Sequence, residues 1–455
     1  MRQLNVHGIA DEARFGALHA TILLICTLII VADGYDLAII GAALPSVMKD
    51  LNIVPAQAGM MVSAGFAGLM IGAISAGMLA DRVGRRRTMA FCVVLFSIVT
   101  VCTGFVHDAV LFGIVRFVAG IGIGGVMPCV VAHVTEFAPR KHRATMVTVA
   151  FSGFAIGGML AAFLGRTMIE AYGWRSVFFI AALPLVVVPF VVGLLPESIA
   201  YLARTHRVAE LRAIVRGLNP RLEMRPDDAF VAPARSNAGP AQDDVSVGHL
   251  FSDGRLSSTI MFWLASLMCV FVIYGLASWL AKMMTNAGYS LASALNLLLA
   301  LNVGALVGGV CAGLLADRLP IKLVLCSFYL LASMAILISG SDVPVTWLYV
   351  TTGLLGASTY GGQMLTYAYA GQFYPPAIRS SGVGWVTGVG RLGAILAPIA
   401  FGALMAMQLP RYQNFLLISI PMFIAAAAVT LIGHGNSSGK GSANDIPVYD
   451  GSTPR

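Results

Sequence analysis

The stretch GLLADRLPIK, residues 313–322, is a second copy of GMLADRVGRR, residues 77–86, and that recurrence decides the fold. Asp81-Arg82 returns as Asp317-Arg318, a spacing of 236. The same spacing relates Gly120 to Gly356, Gly125 to Gly361, Gly157 to Gly393, Phe137 to Phe373, Pro139 to Pro375 and Arg143 to Arg379. Apolar similarity alone does not hold one offset across so many pairs. The chain is a duplicated unit in parallel orientation, which predicts two pseudo-symmetric bundles related by an axis along a membrane normal, with any ligand bound between them near mid-depth.

Around the two copies, the 455 residues are 58% apolar and only 11% charged, which excludes an ordinary soluble protein. Twelve apolar stretches fall near 18–42, 57–80, 88–106, 109–132, 144–170, 174–195, 257–285, 292–315, 320–340, 343–370, 379–407 and 411–433. About 20 apolar residues cross a bilayer, and lipid leaves backbone groups no partner outside a helix. The predicted fold is therefore an all-α membrane protein of twelve transmembrane helices. Pro196–Arg255 is the one long polar interruption, and it separates six stretches from six. The expected organisation is an N-terminal six-helix bundle over 1–195 and a cytoplasmic linker loop over 196–256. A C-terminal six-helix bundle over 257–433 and a disordered cytoplasmic tail over 434–455 complete it.

The net charge of +8 is topological and not a sign of nucleic-acid binding. Of 29 Lys and Arg residues, Lys49, Arg166, Arg175, Lys282 and Arg411 fall on one side and Arg116 and Arg391 lie within spans. The other 22 share the side of both termini, which the positive-inside rule makes cytoplasmic. The first span lacks a basic leader and an A-x-A site, so no removable signal is read. Seven cysteines, all in apolar segments without metal-ligand spacing, read as small core residues. No nucleophile–base set or metal cluster points to an enzyme, and the G-x-G spacings follow no strand, so neither a dinucleotide nor another cofactor is expected.

Two acids stand inside the first span, ILLICTLIIVADGYDLAIIGAALP (22–45): Asp33 and Asp36. A carboxylate at that depth costs several kcal/mol unless neutralised, paired or wetted. Three positions apart, the two lie on nearly the same helix face and oppose each other's ionisation, as a reversible proton site requires. The competing reading is that both merely hydrogen-bond neighbouring helices. The repeat supplies a criterion, because charges present in one copy only are not scaffold. Asp33 aligns with Cys269, Asp36 with Val272, Arg116 with Thr352, Glu136 with Gln372 and Arg391 with Ala155. Arg391, in GVGRLGAILAP (388–398), is too deep for an interface anchor, and its planar fork suits a carboxylate. Arg116, in IVRFVAGIGIGG (114–125), either faces the path or snorkels to an interface. Tyr35, Trp279, Tyr360, Tyr367, Tyr369 and Trp385 are aromatic faces available to a flat ring, or packing.

The string GxLADRxGRR at 77–86 resembles the signature loop of the major facilitator superfamily, with 313–322 a degenerate copy in which Pro320 replaces the glycine. The resemblance implies a cytoplasmic gate carried by Asp81 and Arg85, with Glu136, Arg143 and Glu197 as partners and Asp317 in the second copy. DGYDLAIIGAALP, RFVAGIGIGGVMP, EFAPRKHRA and GRLGAILAP together resemble the aromatic acid:proton symporter family over essentially the whole chain, closest to its benzoate and 4-hydroxybenzoate transporters. It implies symport of an aromatic carboxylate with protons across a bacterial inner membrane. Asp33 and Asp36 are then the proton-binding acids, and Arg391, Arg116, Tyr35, Trp279 and Tyr367 line the substrate. A monomer is expected. The alternatives are a sugar or other organic-anion symporter on the same scaffold, or a receptor that binds without transporting.

Overall fold

A computed structural model describes residues 3–218, 229–231, 250–252, 254–375 and 378–433. The expected tail at 434–455 and most of the linker lie outside the described residues. A short β1 (Gln3–Asn5) and α1 (Val6–Glu12) precede the first spanning helix, α2 (Ala17–Asp50). Then follow α3 (Pro55–Val83), α4 (Arg85–Thr103), α5 (Ala109–Phe137) and α6 (Arg143–Tyr172). The sixth span is broken into α7 (Arg175–Phe179), a 3-10 segment (Ile180–Val187) and α8 (Val188–Leu194). Pro184 lies in that 3-10 segment. It lacks an N–H and crowds the carbonyl four residues back, so the α-ladder tightens locally.

The linker is more ordered than a loop. It carries α9 (Ile199–Arg204), α10 (Val208–Leu218) and β2 (Ala229–Val231), which pairs in parallel with β1. On α10 the buried residues Leu211, Ile214, Val215 and Leu218 form one apolar stripe at helical spacing, packed with α1 and the ends of the first-half helices. The second half comprises α11 (Leu256–Asn286), α12 (Leu291–Ala316), α13 (Ile321–Gly340), α14 (Val345–Phe373), α15 (Arg379–Ala406) and α16 (Arg411–Leu431). Among the described residues eleven segments are long and apolar enough to cross a membrane, and α14 is not among them. It is 29 residues long but diluted by Thr351, Thr352, Ser358, Thr359, Gln363 and Thr366, all buried. Turned inward, these avoid lipid, and Ser358 and Thr359 return their hydroxyls to carbonyls four residues back.

The duplication is written into the packing. A Cβ placed on Gly68 would lie 2.0 Å from the Phe117 carbonyl oxygen, and one on Gly304 would lie 1.8 Å from that of Gly353. Gly157 meets the Val31 carbonyl at 2.1 Å, and Gly393 meets that of Leu267 at 2.4 Å. Each second contact is the first displaced by 236. Small residues let backbones touch where lipid offers no hydrophobic drive to associate, so α3–α5 and α2–α6 recur as α12–α14 and α11–α15.

The two halves meet along α2–α11, α3–α15 and α6–α12. The tightest backbone-to-backbone approaches between them lie at the end remote from the 77–86 loop. Gly41 sits under the Ala277 carbonyl (1.9 Å to a hypothetical Cβ), Gly59 under that of Pro398 (2.4 Å) and Gly402 under that of Pro55 (2.6 Å). The Ser63 hydroxyl donates to the Ile395 carbonyl at 2.6 Å, and Arg166 donates to Asn296 at 3.1 Å. The seam is sealed there.

Candidate functional site

Midway along the seam lies a cavity of about 50 Å³ shared by both halves. The first half contributes Asp33 and Leu37 from α2, Phe66 and Leu69 from α3, Ile123 and Met127 from α5, and Phe154 from α6. The second half contributes Tyr274 from α11 and Arg391 and Ala394 from α15. An adjoining cavity of about 20 Å³ shares Leu37, Phe154 and Tyr274 and adds Gly158, Asn302 and Tyr360. Spaces of this size hold a few waters and no aromatic ring, so a ring enters only as the halves move apart.

The chemistry is a carboxylate facing a guanidinium across the seam. Asp33 is 2% exposed, and its Oδ1 has no hydrogen-bond partner. The Arg391 guanidinium makes no hydrogen bond or ion pair with any described residue, yet it lies near enough to act electrostatically on Asp33, Tyr274 and Tyr367. An always-charged group without an anion at this depth is poised for one. Phe66 and Tyr274 meet edge to face across the halves, with centroids 4.9 Å apart. The site thus has a cation, an acid and aromatic walls.

Asp36 is not in this cavity. Three residues along a helix turn a side chain by about 60°, enough to move it from the seam into the first half. There its carboxylate accepts from Arg116 Nη2 at 2.8 Å and from the Thr100 hydroxyl at 2.5 Å. Arg116 also donates to Thr100 and to the Asp36 carbonyl, with every partner buried. Arg116 therefore neither snorkels nor faces either central cavity; it neutralises Asp36 within the α2–α4–α5 core. The expectation that the two acids share one face gives way to this geometry.

Tyr35 also points away, donating to the Val177 carbonyl at 2.7 Å and tying α2 to α7. Trp279 is fully buried beside Gly402 at the sealed end of the seam. Tyr367 is half-buried on α14 near Arg391 but lines neither central cavity. Phe66, Phe154 and Tyr274 escaped the sequence reading, although the repeat held the signal. They align with Asn302, Gly390 and Ala38, so they break the duplication as the charges do. Restricting the criterion to ionisable residues hid them.

At the end bearing the 77–86 loop, Arg85 pairs with Glu136 at 2.6 Å. Glu136 in turn accepts from the Ser198 hydroxyl and the Ala200 amide, both at 3.0 Å. Glu197 accepts from the Arg86 and Ser198 amides at 3.0 Å and lies over Gly84, where a Cβ would come within 2.6 Å of it. Gly84 has φ of +103°, so the loop needs glycine on both counts. Asp81 and Asp317 are exposed and make no ion pair with a described residue. Arg143, expected to serve the loop, pairs instead with Asp11 at the end of α1, because it opens α6 directly beside that segment.

Residues 26–398 match the family model described as Major Facilitator Superfamily. The chain is 42% identical over 436 residues to a benzoate transport protein of Acinetobacter baylyi, covering 95% of this chain and 93% of that protein. It is 31% identical over 440 residues to the 4-hydroxybenzoate transporter PcaK of Pseudomonas aeruginosa, covering 95% and 96%. Among solved structures, a D-xylose-proton symporter superposes with a TM-score of 0.71 at 18% identity, covering 91% of this chain and 97% of that one, a likeness of fold alone.

Proposed function

Because this chain belongs to the Major Facilitator Superfamily, as a membrane transporter and not an enzyme, we propose that it imports an aromatic carboxylate, benzoate or a hydroxybenzoate, together with a proton. The observation that carries this reading is the unpaired Arg391 guanidinium facing the buried Asp33 carboxylate across an aromatic-walled gap between the halves. The bacterial relatives support an inner membrane and the positive-inside distribution supports cytoplasmic termini, which makes the sealed end of the seam the outer one. One chain contains both halves of the path, which supports action as a monomer.

In the outward-open state Asp33 takes a proton and Arg391, freed from its field, binds the substrate carboxylate while Phe66 and Tyr274 flank the ring. Of the two acids of the first span, Asp33 is the proton carrier, since Asp36 already has its counter-charge in Arg116. Moving a lone anion inward would cost about 2.3 kcal/mol per 100 mV. One proton cancels that charge and leaves the pH gradient as the drive, about 1.4 kcal/mol per unit. The bundles 1–195 and 257–433 rock about the site, with 196–256 as their cytoplasmic connection. The gate at the inner end comprises Asp81, Arg85, Glu136 and Asp317, while Arg143 fastens α6 to α1 through Asp11. Asp81 and Asp317, unpaired while the outer end is sealed, are free to engage when the inner end closes.

The test is uptake of labelled benzoate into proteoliposomes under an imposed pH gradient. Asp33→Asn is expected to lose gradient-driven accumulation while keeping benzoate exchange, whereas Arg391→Ala loses both. Accumulation at the wild-type level in either variant, at matched reconstitution, refutes the mechanism, and uptake competed by glucose but not benzoate refutes the substrate class.

A further inference from the structure

At the sealed end of the seam the surface opens into a cavity of about 920 Å³, far larger than the central ones and within the range of small-molecule sites. It is lined by the last turns of α2 and α11, the first turns of α3, α12 and α16, and the end of α15. Lys49, Lys282 and Arg411, three of the five cations on the outer side, all line it, and no acidic residue does. The positive-inside rule leaves few cations on this side, so gathering three around one cavity calls for a cause.

Pseudo-symmetry sharpens the point. Lys49 corresponds to Thr285 and Ser46 to Lys282 at the spacing of 236, and all four line the cavity. Each half thus presents one ammonium and one hydroxyl, with the lysine at a different position in each copy, so neither lysine is scaffold inherited from the duplication. Neither ammonium makes a hydrogen bond or ion pair with a described residue. Arg411 is held in place by the Ser339 carbonyl at 2.6 Å and by stacking 5.5 Å from the Tyr289 ring. Of the nearby acids, Asp50 is taken by Arg175 and Trp174, and the exposed Asp342 pairs with Arg411 at 3.9 Å, so neither neutralises the two lysines. The N-caps of α3 and α16, Val54 and Pro410, have no side-chain acceptor, so the positive ends of both helices open toward the same space.

We propose that this outer vestibule is a capture site for the carboxylate anion of the aromatic substrate, formed by Lys49 and Lys282 across the seam and used before the central site opens. It rests on the reading that an aromatic carboxylate is carried. Two unpaired ammoniums at a concave mouth draw anions in and raise the rate of productive encounter, an effect that salt screens. The capture site acts on entry from outside and has no part in coupling to the proton.

Initial rates of labelled benzoate uptake in right-side-out vesicles, at low and high ionic strength, test it. Wild-type KM is expected to rise with salt. The Lys49→Gln/Lys282→Gln double variant should have a KM raised about three- to tenfold at low salt, an unchanged kcat and little remaining salt dependence. Lys49→Glu/Lys282→Glu should raise KM further still. Wild-type KM and salt dependence in both double variants would overturn the proposal. The comparison is repeated in proteoliposomes of phosphatidylcholine alone, and disappearance of the effect there would assign the lysines to anionic lipid headgroups and overturn it as well. Competition of wild-type uptake by glucose but not by benzoate, run alongside, separates the premises, since that result sinks the carried-substrate reading, whereas benzoate uptake with wild-type KM and salt dependence in both double variants sinks the vestibule alone.

Discussion

Asp33→Asn and Asp36→Asn, identical substitutions three residues apart, should have opposite consequences. Asp36 accepts from Arg116 at 2.8 Å and from Thr100 at 2.5 Å, with every partner buried. Replacing it with asparagine strands the Arg116 guanidinium in the core of the first half. Breaking a buried pair by removing one partner costs about 3–5 kcal/mol, because an uncompensated charge remains. Asp33 has an unpartnered Oδ1 and no ion pair, so amidation removes a buried charge at equal volume. Its effect on stability should be within about 1 kcal/mol. The assay is thermal unfolding of purified protein in detergent, combined with gradient-driven and exchange uptake after reconstitution. Asp36→Asn is expected to unfold well below wild type, and Asp36→Asn/Arg116→Leu to recover much of the loss, since apolar replacements of a buried pair are often tolerated. Asp33→Asn is expected to unfold like wild type and to fail only in gradient-driven uptake. Equal destabilisation by the two single variants, or loss of coupling in a stable Asp36→Asn protein with normal coupling in Asp33→Asn, would refute the division of roles.

Two more outcomes follow from the seam and the cavity wall. Gly41→Ala places a Cβ 1.9 Å from the Ala277 carbonyl, so α2 and α11 must part by about 1 Å at the sealed end of the seam. A cysteine introduced at Ala38 should then react faster with an impermeant maleimide from outside than in the Gly41 background, and an unchanged rate would argue against this seal. Phe66→Ala removes one ring of the pair that spans the halves, whose geometry contributes about 0.5–1.5 kcal/mol beyond area. KM for benzoate should rise about two- to tenfold with kcat nearly unchanged, while Tyr274→Phe, which keeps its ring, stays near wild type. A normal KM in Phe66→Ala would remove that ring from the binding site.

Much of this was legible in one dimension. A bilayer forces helices on apolar stretches, so length and composition define the spans. A duplication leaves a constant offset, so 313–322 against 77–86 announces two halves, and the packing of Gly68 and Gly304 repeats it atom for atom. The positions that break the offset include Asp33, Arg391, Phe66 and Tyr274, which the fold brings around one cavity. Composition misled where the linker hides an amphipathic helix on the underside of the first half. What the sequence could not decide is direction around a helix axis. Whether Asp33 or Asp36 faces the seam depends on a rotation of about 60° against neighbours distant in the chain, and the packing of α2 on α5, α6 and α11 sets that angle. The same holds for Arg116, whose partner lies 80 residues away, and for Lys49 and Lys282, which share a vestibule only because the two copies close against each other at one end.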